Sequence, residues 1–462
     1  MRFRENDDRL MKITEAISSV NKRVNLIGVV TETSIPKQTR GTDCFVSIKI
    51  VDESRSSPPL LVSIFTETME KLPQVSLDGD IIQFSHVVMK TNGPEVYALF
   101  NKKFSSFALF EGKTGASFVP YQLSTKFTAR EQDKKFITGL RKWMTDRPVG
   151  TVSHDFKFLR EIKEEERCNL LCKILHLCEV NKDEWMLFVW DGTDAPPVQV
   201  MTELNDEMEN PLPLGLEAFP FPRDVLCSFP DVGTVLKITF NQCKEKLGIT
   251  FLKSGKWAKF INLKCQTRSG LWHAEIMPYT RLCYLPEDND NVLQRQRSHE
   301  ERLSGKFGGV PFTCFPWHSD LTETEFLRVP FVSLMHVLTY PQATAKFRCV
   351  VRVVAMLPWE VDNFRSPNGT YRIRLTLEDP TARIHALICG SDGVTFFESH
   401  DSATSMTMKR NMLLGISETD GEVEDAGRNP PWVELCLRSY YTDKNEIWKS
   451  RGFWIFGTKF IG

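Results

Sequence analysis

The sequence has no long apolar run and no excess of one charge. Of its 462 residues, 41% are hydrophobic and 25% charged, and the formal net charge is −1. A membrane-spanning helix needs about 18 or more apolar residues in a row, and no stretch comes near that. The opening "MRFRENDDR" lacks the apolar core of a secretory signal. We therefore expect a globular protein without a membrane partner. The net charge close to zero argues against a polybasic protein that coats nucleic acid.

Cysteine pairs of the kind that bind zinc are also missing. The twelve cysteines are scattered and no C-x₂-C knuckle occurs, although structural zinc sites usually contain one. Cys168, Cys172, His176 and Cys178 come closest, but strand alternation would stack the last three with Ile174 on one face. We interpret them as a core strand, with a metal site as the alternative, and expect no cofactor. Free thiols without an export signal are typical of the cytosol or nucleus.

Catalytic motifs are absent as well. There is no H-E-x-x-H and no recognisable triad, and "FEGKTG" keeps only the tail of a phosphate-binding loop, because Phe107 stands where glycine is needed. Asp52 with Glu53, or Asp78 with Asp80, could hold Mg²⁺, but each pair falls where a turn favours an acidic residue. A nuclease remains an alternative, and we predict a binding protein rather than an enzyme.

One hairpin pattern occurs three times. Residues 49–65, "KIVDESRSSPPLLVSIF", form a strand, a polar turn opened by an acidic residue, and a second strand. Residues 188–200, "FVWDGTDAPPVQV", and 375–388, "LTLEDPTARIHALI", have the same layout. A chain of this length exceeds the usual 100–150 residues of one domain, so the repetition predicts three similar units.

The first unit shows the order of an OB fold, a five-stranded Greek-key barrel that often binds oligonucleotides. Strands are predicted near 23–30, 44–52, 60–65, 78–90 and 105–112, with a short helix at 66–72 between the third and fourth. A plain β-sandwich is the alternative, but the helix favours a barrel. A helix at 127–144, with a Thr128–Glu131 capping box, follows. The expected fold is mainly β, with three OB-fold units in series and short helices.

Domain boundaries follow from these patterns. Residues 145–155 interrupt the periodic pattern and are interpreted as an interdomain joint, and residues 211–223 form a Pro/Gly-rich insert. In the second unit, "DVGTVLKI" (231–238) takes the place that "DGDIIQF" (78–84) holds in the first. We predict the following four segments: a first OB fold at 1–145, a second at 150–285, a polar linker at 286–345, and a C-terminal OB-like domain at 346–462.

The first unit also offers a candidate interface for nucleic acid. Residues 1–145 carry 21 Lys and Arg against 16 Asp and Glu, and single strands are bound by aromatic side chains in grooves lined with cations. Phe65 ends the third strand, where OB barrels present their binding face. The other candidates lie in the loop after the first strand and on the fourth strand: Lys37, Arg40, Thr42, Asp43, His86 and Lys90. A core position for Phe65 and solvated charges are the alternative.

The order of several motifs resembles the protection-of-telomeres family. They are "GVV…GTDCFVSIKIVD" (28–52), "GDIIQFSHVVMK" (79–90), "SSFALFEGK" (105–113) and "VWDGTDAPP" (189–197), while "REQDKKFITGLRKWM" (130–144) and "FWIFGTKFIG" (453–462) are similar to its plant branch. The resemblance runs from about residue 10 to the C-terminus. It implies two OB folds that bind the single-stranded G-rich chromosome end, a C-terminal region that contacts a partner linked to telomerase, and residence in the nucleus at telomeres.

Residue by residue, the resemblance carries over few positions. Thr42 and Asp43 fall on the family's loop motif, Phe65 on its third-strand aromatic, and residues 191–193 on the second hairpin. The loop "TETSIPKQTR" (31–40) departs from the family because it has no aromatic residue. The fourth strand departs as well, with Ser, His and Val at positions 85, 86 and 88 in place of basic and amide residues.

Three functions therefore stay open. The first is sequence-selective binding of telomeric single-stranded DNA for chromosome-end protection and length regulation, with Phe65 stacking a base and the cations holding phosphates. The second is an accessory role in the telomerase ribonucleoprotein through protein or RNA contacts, with weak DNA binding, which the loop without aromatics favours. The third is general single-strand coverage, which would show no preference for G-rich sequence.

Overall fold

Three five-stranded barrels follow one another along the chain. The computed structural model describes residues 9–76, 79–112, 115, 117–146, 156–200, 220–241, 248, 252–268, 270–277, 279–285, 287–304, 319–398, 402–416 and 428–462. In each barrel the strands pair in the order one, two, three, five, four; strand four closes on strand one, and strands three and five are parallel. This is the order of an OB fold, so the predicted fold class is confirmed. In the part of the chain that is described, no helix is long and apolar enough to cross a membrane.

The first barrel agrees with its predicted strands except at the fifth. Its strands are Arg23–Thr33, Cys44–Asp52, Arg55–Thr66, Ile81–Asn92 and Glu95–Phe100. The fifth has a second piece, Ser106–Phe110, and the two pieces pair with the end and the start of strand four. The sequence prediction found only the second piece, because it overlooked the Asn-Gly turn at 92–93 that joins strands four and five.

Short elements flank the first barrel. They are Leu10–Met11, Ile13–Ile17, Lys37–Gln38, the 3₁₀ turn Met69–Lys71, Gln122–Leu123, the 3₁₀ turn Glu131–Asp133 and the helix Lys134–Asp146. That helix packs Ile137, Leu140 and Met144 on the barrel. The predicted capping box is wrong, because a 3₁₀ turn occupies residues 131–133 and the helix begins at Lys134. The helix at 66–72 is present as the 3₁₀ turn.

The second barrel corrects the predicted hairpin. Its strands are Arg167–Asn181, Glu184–Trp190, Leu236–Asn241, Trp257–Arg268 and a fifth in two pieces, Leu271–Glu275 and Arg281–Tyr284. Residues 191–200 leave the barrel, and Val200 bridges to Arg428 beside the third barrel. Pro196 and Pro197 lack the N–H groups that a ladder needs. "DVGTVLKI" (231–238) leads into strand three of the second barrel, which begins at Leu236, whereas "DGDIIQF" (78–84) leads into strand four of the first barrel, which begins at Ile81. The predicted equivalence of the two segments was therefore wrong.

The third barrel has the hairpin where it was predicted. Its strands are Lys346–Leu357, Arg372–Glu378, Arg383–Cys389, Trp432–Tyr441 and Arg451–Ile455, with the helices Ser391–Phe397 and Ala403–Leu414 between strands three and four. The C-terminal strand Thr458–Phe460 pairs with Thr322–Thr324. The remaining elements of the described chain are the helices Arg223–Cys227, Asp290–Ser304 and Leu334–Thr339 and the 3₁₀ turns Leu159–Glu161 and Val361–Phe364.

Residues 286–345 contain packed structure where a polar linker was predicted. The helix Asp290–Ser304 buries Val292, Arg295 and His299, and the Arg295 guanidinium donates to the Phe156 carbonyl at 2.7 Å. Most of the joint 145–155 and of the insert 211–223, like residues 305–318, lies outside the described residues. The domain boundaries stay a prediction.

The acidic residue of each repeated sequence pattern, Asp52, Asp191 or Asp379, is a buried acceptor. Asp379 Oδ2 accepts from the Leu334 amide at 2.6 Å, and its Oδ1 accepts from the Thr381 amide and hydroxyl, both at 2.7 Å, and from the Ala382 amide at 2.9 Å. Leu334 is the first residue of the helix that precedes the barrel. The carboxylate therefore ties that helix to the turn between strands two and three, and satisfies one of the N–H groups that the first helical turn leaves unpaired.

The same contact, a carboxylate at the end of strand two that accepts the first N–H of the preceding helical element, recurs in the other two barrels, and we call it the clamp. Asp52 accepts from the Ile13 amide, the first residue of the helix Ile13–Ile17, at 2.8 Å. Asp191 accepts from the Leu159 amide, the first residue of a 3₁₀ turn, at 2.8 Å. Each also binds its own turn. The repeated sequence pattern thus reflects a repeated structural requirement of the barrel, the buried carboxylate at the end of strand two.

Polar contacts join the barrels. Glu32 of the first barrel forms an ion pair with Lys259 of the second, and Lys49 lies 3.2 Å from the same carboxylate. The amide of Ile35 donates to the Leu282 carbonyl at 2.8 Å. Between the second and third barrels, Arg352 donates to the Val198 carbonyl at 2.7 Å, and Glu378 of the third barrel itself accepts from the same guanidinium at 2.9 Å.

Candidate nucleic-acid interface

Phe65 lies on the outside of the first barrel. Along its strand Leu60, Val62 and Ile64 point into the core, and Phe65 is half-buried on the other side. Its ring packs against that of Phe45 on the neighbouring strand, with centroids 4.9 Å apart. The structure therefore supports a surface position over a core position. The prediction missed Phe45, although its place in the alternating strand 44–52 puts it on the same outward face.

One of the two predicted loop cations lies beside this aromatic pair, and the other follows it in the chain. Lys37 belongs to the short strand Lys37–Gln38 and is directly opposite Phe45 in the register. Arg40 is exposed in the turn that follows. An aromatic surface edged by cations can stack bases and hold phosphates.

Asp43 is already engaged in an ion pair. Its Oδ1 accepts from Lys102 Nζ at 2.7 Å, and both side chains are about a third exposed. Hydrogen bonding to Asp43 raises the pKa of Lys102. The Asp43 carbonyl also accepts from the Thr39 amide at 2.8 Å, which closes the loop beside exposed Thr42. A contact from Asp43 to a base would use Oδ2 or displace Lys102.

A bulge at His86 separates it from Lys90 on strand four, and Lys90 lies far from Phe65. His86 adopts a left-handed φ of 57° at a bulge, its amide donates to Asn25 Oδ1 at 2.8 Å, and its carbonyl accepts from Ser105 Oγ at 2.8 Å. The inward residues change from even to odd numbers there, so spacing alone does not define a common face. Lys90 lies opposite Tyr97, which pairs with Leu61, about 13 Å along the strand from Phe65.

A basic loop that the prediction missed completes this edge. Residues 101–105 join the two pieces of strand five and hold Lys102, Lys103 and Phe104. The Arg23 guanidinium lies 4.2 Å from the centre of the Phe104 ring, and Lys126 Nζ donates to the Lys102 carbonyl at 3.4 Å. The signal was the run "NKKFSS", which has cations next to an aromatic residue. We define the first-barrel face as Lys37, Arg40, Phe45, Phe65, Lys102, Lys103 and Phe104.

The structure gives Asp80 a structural role, while Asp78, Lys113 and Thr114 lie outside the described residues. Asp80 accepts from the Gly112 amide at 3.1 Å and the Tyr121 hydroxyl at 2.7 Å. Among the described residues, no three His, Cys, Asp or Glu side chains are grouped to hold a metal. Cys172 is fully buried in the second core, and Cys168 Sγ lies 3.7 Å from Cys265 Sγ.

His176 and the second hairpin also belong to the second barrel's interior packing. The His176 ring packs 4.8 Å from that of Phe221, and burial lowers its pKa. Asp191 and Thr193 are buried in the clamp. The sequence interpretation of Cys172 and His176 as core residues agrees with these contacts.

Comparisons with known proteins agree on one family. Residues 4–151 match the family described as "Telomeric single stranded DNA binding POT1/CDC13", and residues 317–446 match "POT1A-like, OB fold domain". The chain is 38% identical to Protection of telomeres protein 1a of Arabidopsis thaliana, with 100% of both chains covered, and 39% identical to protein 1b of the same plant, with 98% of both covered.

Solved structures give a distant likeness. The fission yeast Pot1 complex with single-stranded DNA aligns with a TM-score of 0.27 at 14% identity, covering 63% of this chain and 93% of that one. The full-length identity to the two plant proteins decides the question of family. This chain belongs to the protection-of-telomeres family.

Proposed function

We propose that the chain binds the single-stranded G-rich DNA of chromosome ends through the first-barrel face and so contributes to telomere protection and length regulation. The observation that carries this is the outward Phe45–Phe65 pair with Lys37 directly opposite Phe45. Support comes from the names of its relatives, which describe telomere protection, and from the family description of residues 4–151. The site of action would be the nucleus, at telomeres.

Each residue of the candidate site has a proposed role. Phe65 and Phe45 stack bases, and Lys37 and Arg40 neutralise phosphates, with Lys90 further along the strand. Thr42, Asp43 and His86 read base edges, since single strands expose them. The third barrel would contact a telomere-capping protein or the telomerase ribonucleoprotein.

Fluorescence anisotropy of the full chain on a labelled telomeric G-strand oligonucleotide tests the proposal. Removing one stacking ring costs about 1–3 kcal/mol, so Phe65→Ala should weaken binding roughly 5- to 150-fold. Phe118→Ala is the matched control, because Phe118 is an exposed phenylalanine that packs under Arg141, outside the face. The C-strand and a scrambled G-rich strand should bind less tightly. Equal affinity for all three strands would reject selective end binding.

The accessory role in the telomerase ribonucleoprotein is the second candidate. The Asp43–Lys102 ion pair favours it, because it occupies a predicted base reader and a cation of the same face. A pull-down of telomerase activity that survives Phe65→Ala, together with weak and unselective DNA binding, would support this function over the first.

A further inference from the structure

The third barrel presents a second basic and aromatic surface on its outer side. Along strands two and three of this barrel, residues such as Ile373 and Ile384 point into the core, and their neighbours point outward. We define the third-barrel face as Lys346, Arg372, Arg374, His385, Leu387, Arg438, Tyr440 and Trp454. Each of these side chains is exposed or half-buried.

The registers align much of this face into one row. Arg374 pairs with Leu387, Leu387 with Trp454, Trp454 with Arg438, and Arg438 with Lys346. The row therefore crosses all five strands and places cations on both sides of the indole. Arg374 and Leu387 lie on strands two and three, the part of the barrel with which OB folds bind oligonucleotides. Trp454, Arg438 and Lys346 continue the row onto strands five, four and one of the closed barrel.

The rings in the row are held in defined positions. The Arg438 guanidinium lies 4.5 Å from the centre of the Trp454 ring, and Tyr440 packs edge-on to that ring at 6.2 Å. Tyr440 covers Gly452, where an added Cβ would come within 2.6 Å of the tyrosine ring. Trp454 Nε1 is buried and has no hydrogen-bond acceptor among the described residues.

The charge of the face selects its partner. Four cations lie on it, and no Asp or Glu occupies an outward position among residues 372–376, 385–389, 438–440 and 452–454. This arrangement complements a polyanion. Aromatic rings and arginine planes stack on unpaired bases, so a single strand satisfies both features of the surface.

We propose that the third-barrel face is a second binding site for single-stranded nucleic acid. It is separate from the first-barrel face and does not depend on it. Arg372, Arg438 and Lys346 hold phosphates, and Trp454 and Tyr440 contact bases. DNA and RNA share this chemistry, and the experiment distinguishes them.

The test uses the full chain carrying Phe65→Ala, so that the first-barrel contribution is reduced in every variant. The probes are labelled DNA and RNA single strands of one sequence and about 30 nucleotides, since one OB fold covers roughly 4–16. Binding is measured by anisotropy between roughly 50 and 200 mM salt. Arg372→Glu/Arg438→Glu is compared with Arg297→Glu/Arg328→Glu, a charge-matched pair of exposed arginines outside the face.

The face variant should lose at least about tenfold in affinity, and its salt slope should fall by about 1.4, because each single-strand phosphate contact contributes about 0.7. Ultraviolet crosslinking should place the strand on the peptide that holds Trp454. Loss with only one of the two probes identifies the nucleic acid that the face binds. Equal affinities and slopes for the two variants, with no crosslink at Trp454, would overturn the proposal.

Discussion

The clamp carboxylate of the third barrel gives the sharpest test of how the hairpin holds the fold. Asp379 accepts three backbone N–H groups and one hydroxyl between 2.6 and 2.9 Å, and it is buried. Asp379→Ala would leave the amides of Leu334, Thr381 and Ala382 without acceptors. At roughly 1–3 kcal/mol for each buried unsatisfied group, we expect a loss of about 3 kcal/mol or more.

Asp379→Asn should cost less. Its Oδ1 can still accept from Thr381 and Ala382, but its amide nitrogen faces the Leu334 N–H, so one bond is lost and two donors meet, at about 1.5–3 kcal/mol. Hydrogen exchange of the helix Leu334–Thr339 reads out this loss directly. Exchange should quicken in the order wild type, Asn, Ala.

The control is Asp443→Asn. Asp443 also accepts a backbone amide, from Asn445 at 2.8 Å, but it is exposed, so its loss should stay within about 0.5 kcal/mol. If exchange at Leu334–Thr339 were unchanged in Asp379→Ala, the carboxylate would not hold the helix and the account of the repeated hairpin would be refuted.

The clamp also predicts a pH dependence. Burial raises the pKa of Asp379 to about 6, against the donors that favour its charged form. The folded chain then keeps the proton at pH values where the unfolded chain has lost it, so stability falls as pH rises from about 4 to 6, by up to roughly 3 kcal/mol. The stability gap between wild type and Asp379→Asn should narrow over that window. A stability gap that widens with pH would show that the hydrogen bonds lower the pKa of Asp379 by more than burial raises it.

Two further predictions concern the junctions between barrels. Glu32→Gln removes one partner of a buried ion pair and should destabilise the first–second junction by about 3–5 kcal/mol, which would be measured as faster hydrogen exchange around Ile35. Burial opposes the charge of Glu32, but Lys259 and Lys49 lower its pKa. Acid should therefore loosen this junction as the pH falls below the ordinary glutamate range, and a junction whose stability does not respond to acid would contradict this. Arg352→Met should leave Glu378 paired with Arg383 alone and loosen the second–third junction, measured as faster exchange near Val198, whereas exposed Arg372→Met should not.

Alternation predicted the first and third barrels well because their strands two and three are joined by short turns. In the second barrel a long segment separates Trp190 from Leu236, so the local pattern "DGTDAPPVQV" was extended into a strand that the prolines prevent. The period of two was correct, but strand pairing depends on contacts distant in sequence, which one sequence does not show.

The candidate site was predictable to a similar extent. The outward position of Phe65 follows from alternation along its strand, and Lys37 and Arg40 were predicted from the loop that joins strands one and two. The ion pair between Asp43 and Lys102 was not predictable, because 59 residues separate the partners. The bulge at His86 depends on Asn25 from another strand, and no spacing rule along strand four reveals it.

The junctions and the two faces lead to one consequence for binding. Glu32 with Lys259 and Arg352 with Val198 join the outer barrels to the second one, so the first-barrel face and the third-barrel face are held on one connected structure. A strand long enough to reach both would bind the second face at a high effective concentration, whereas a short strand would occupy one face alone. Affinity should therefore rise with strand length beyond the span of one barrel. Because that gain depends on fixed geometry, loosening a junction should weaken binding of long strands while leaving short ones unaffected.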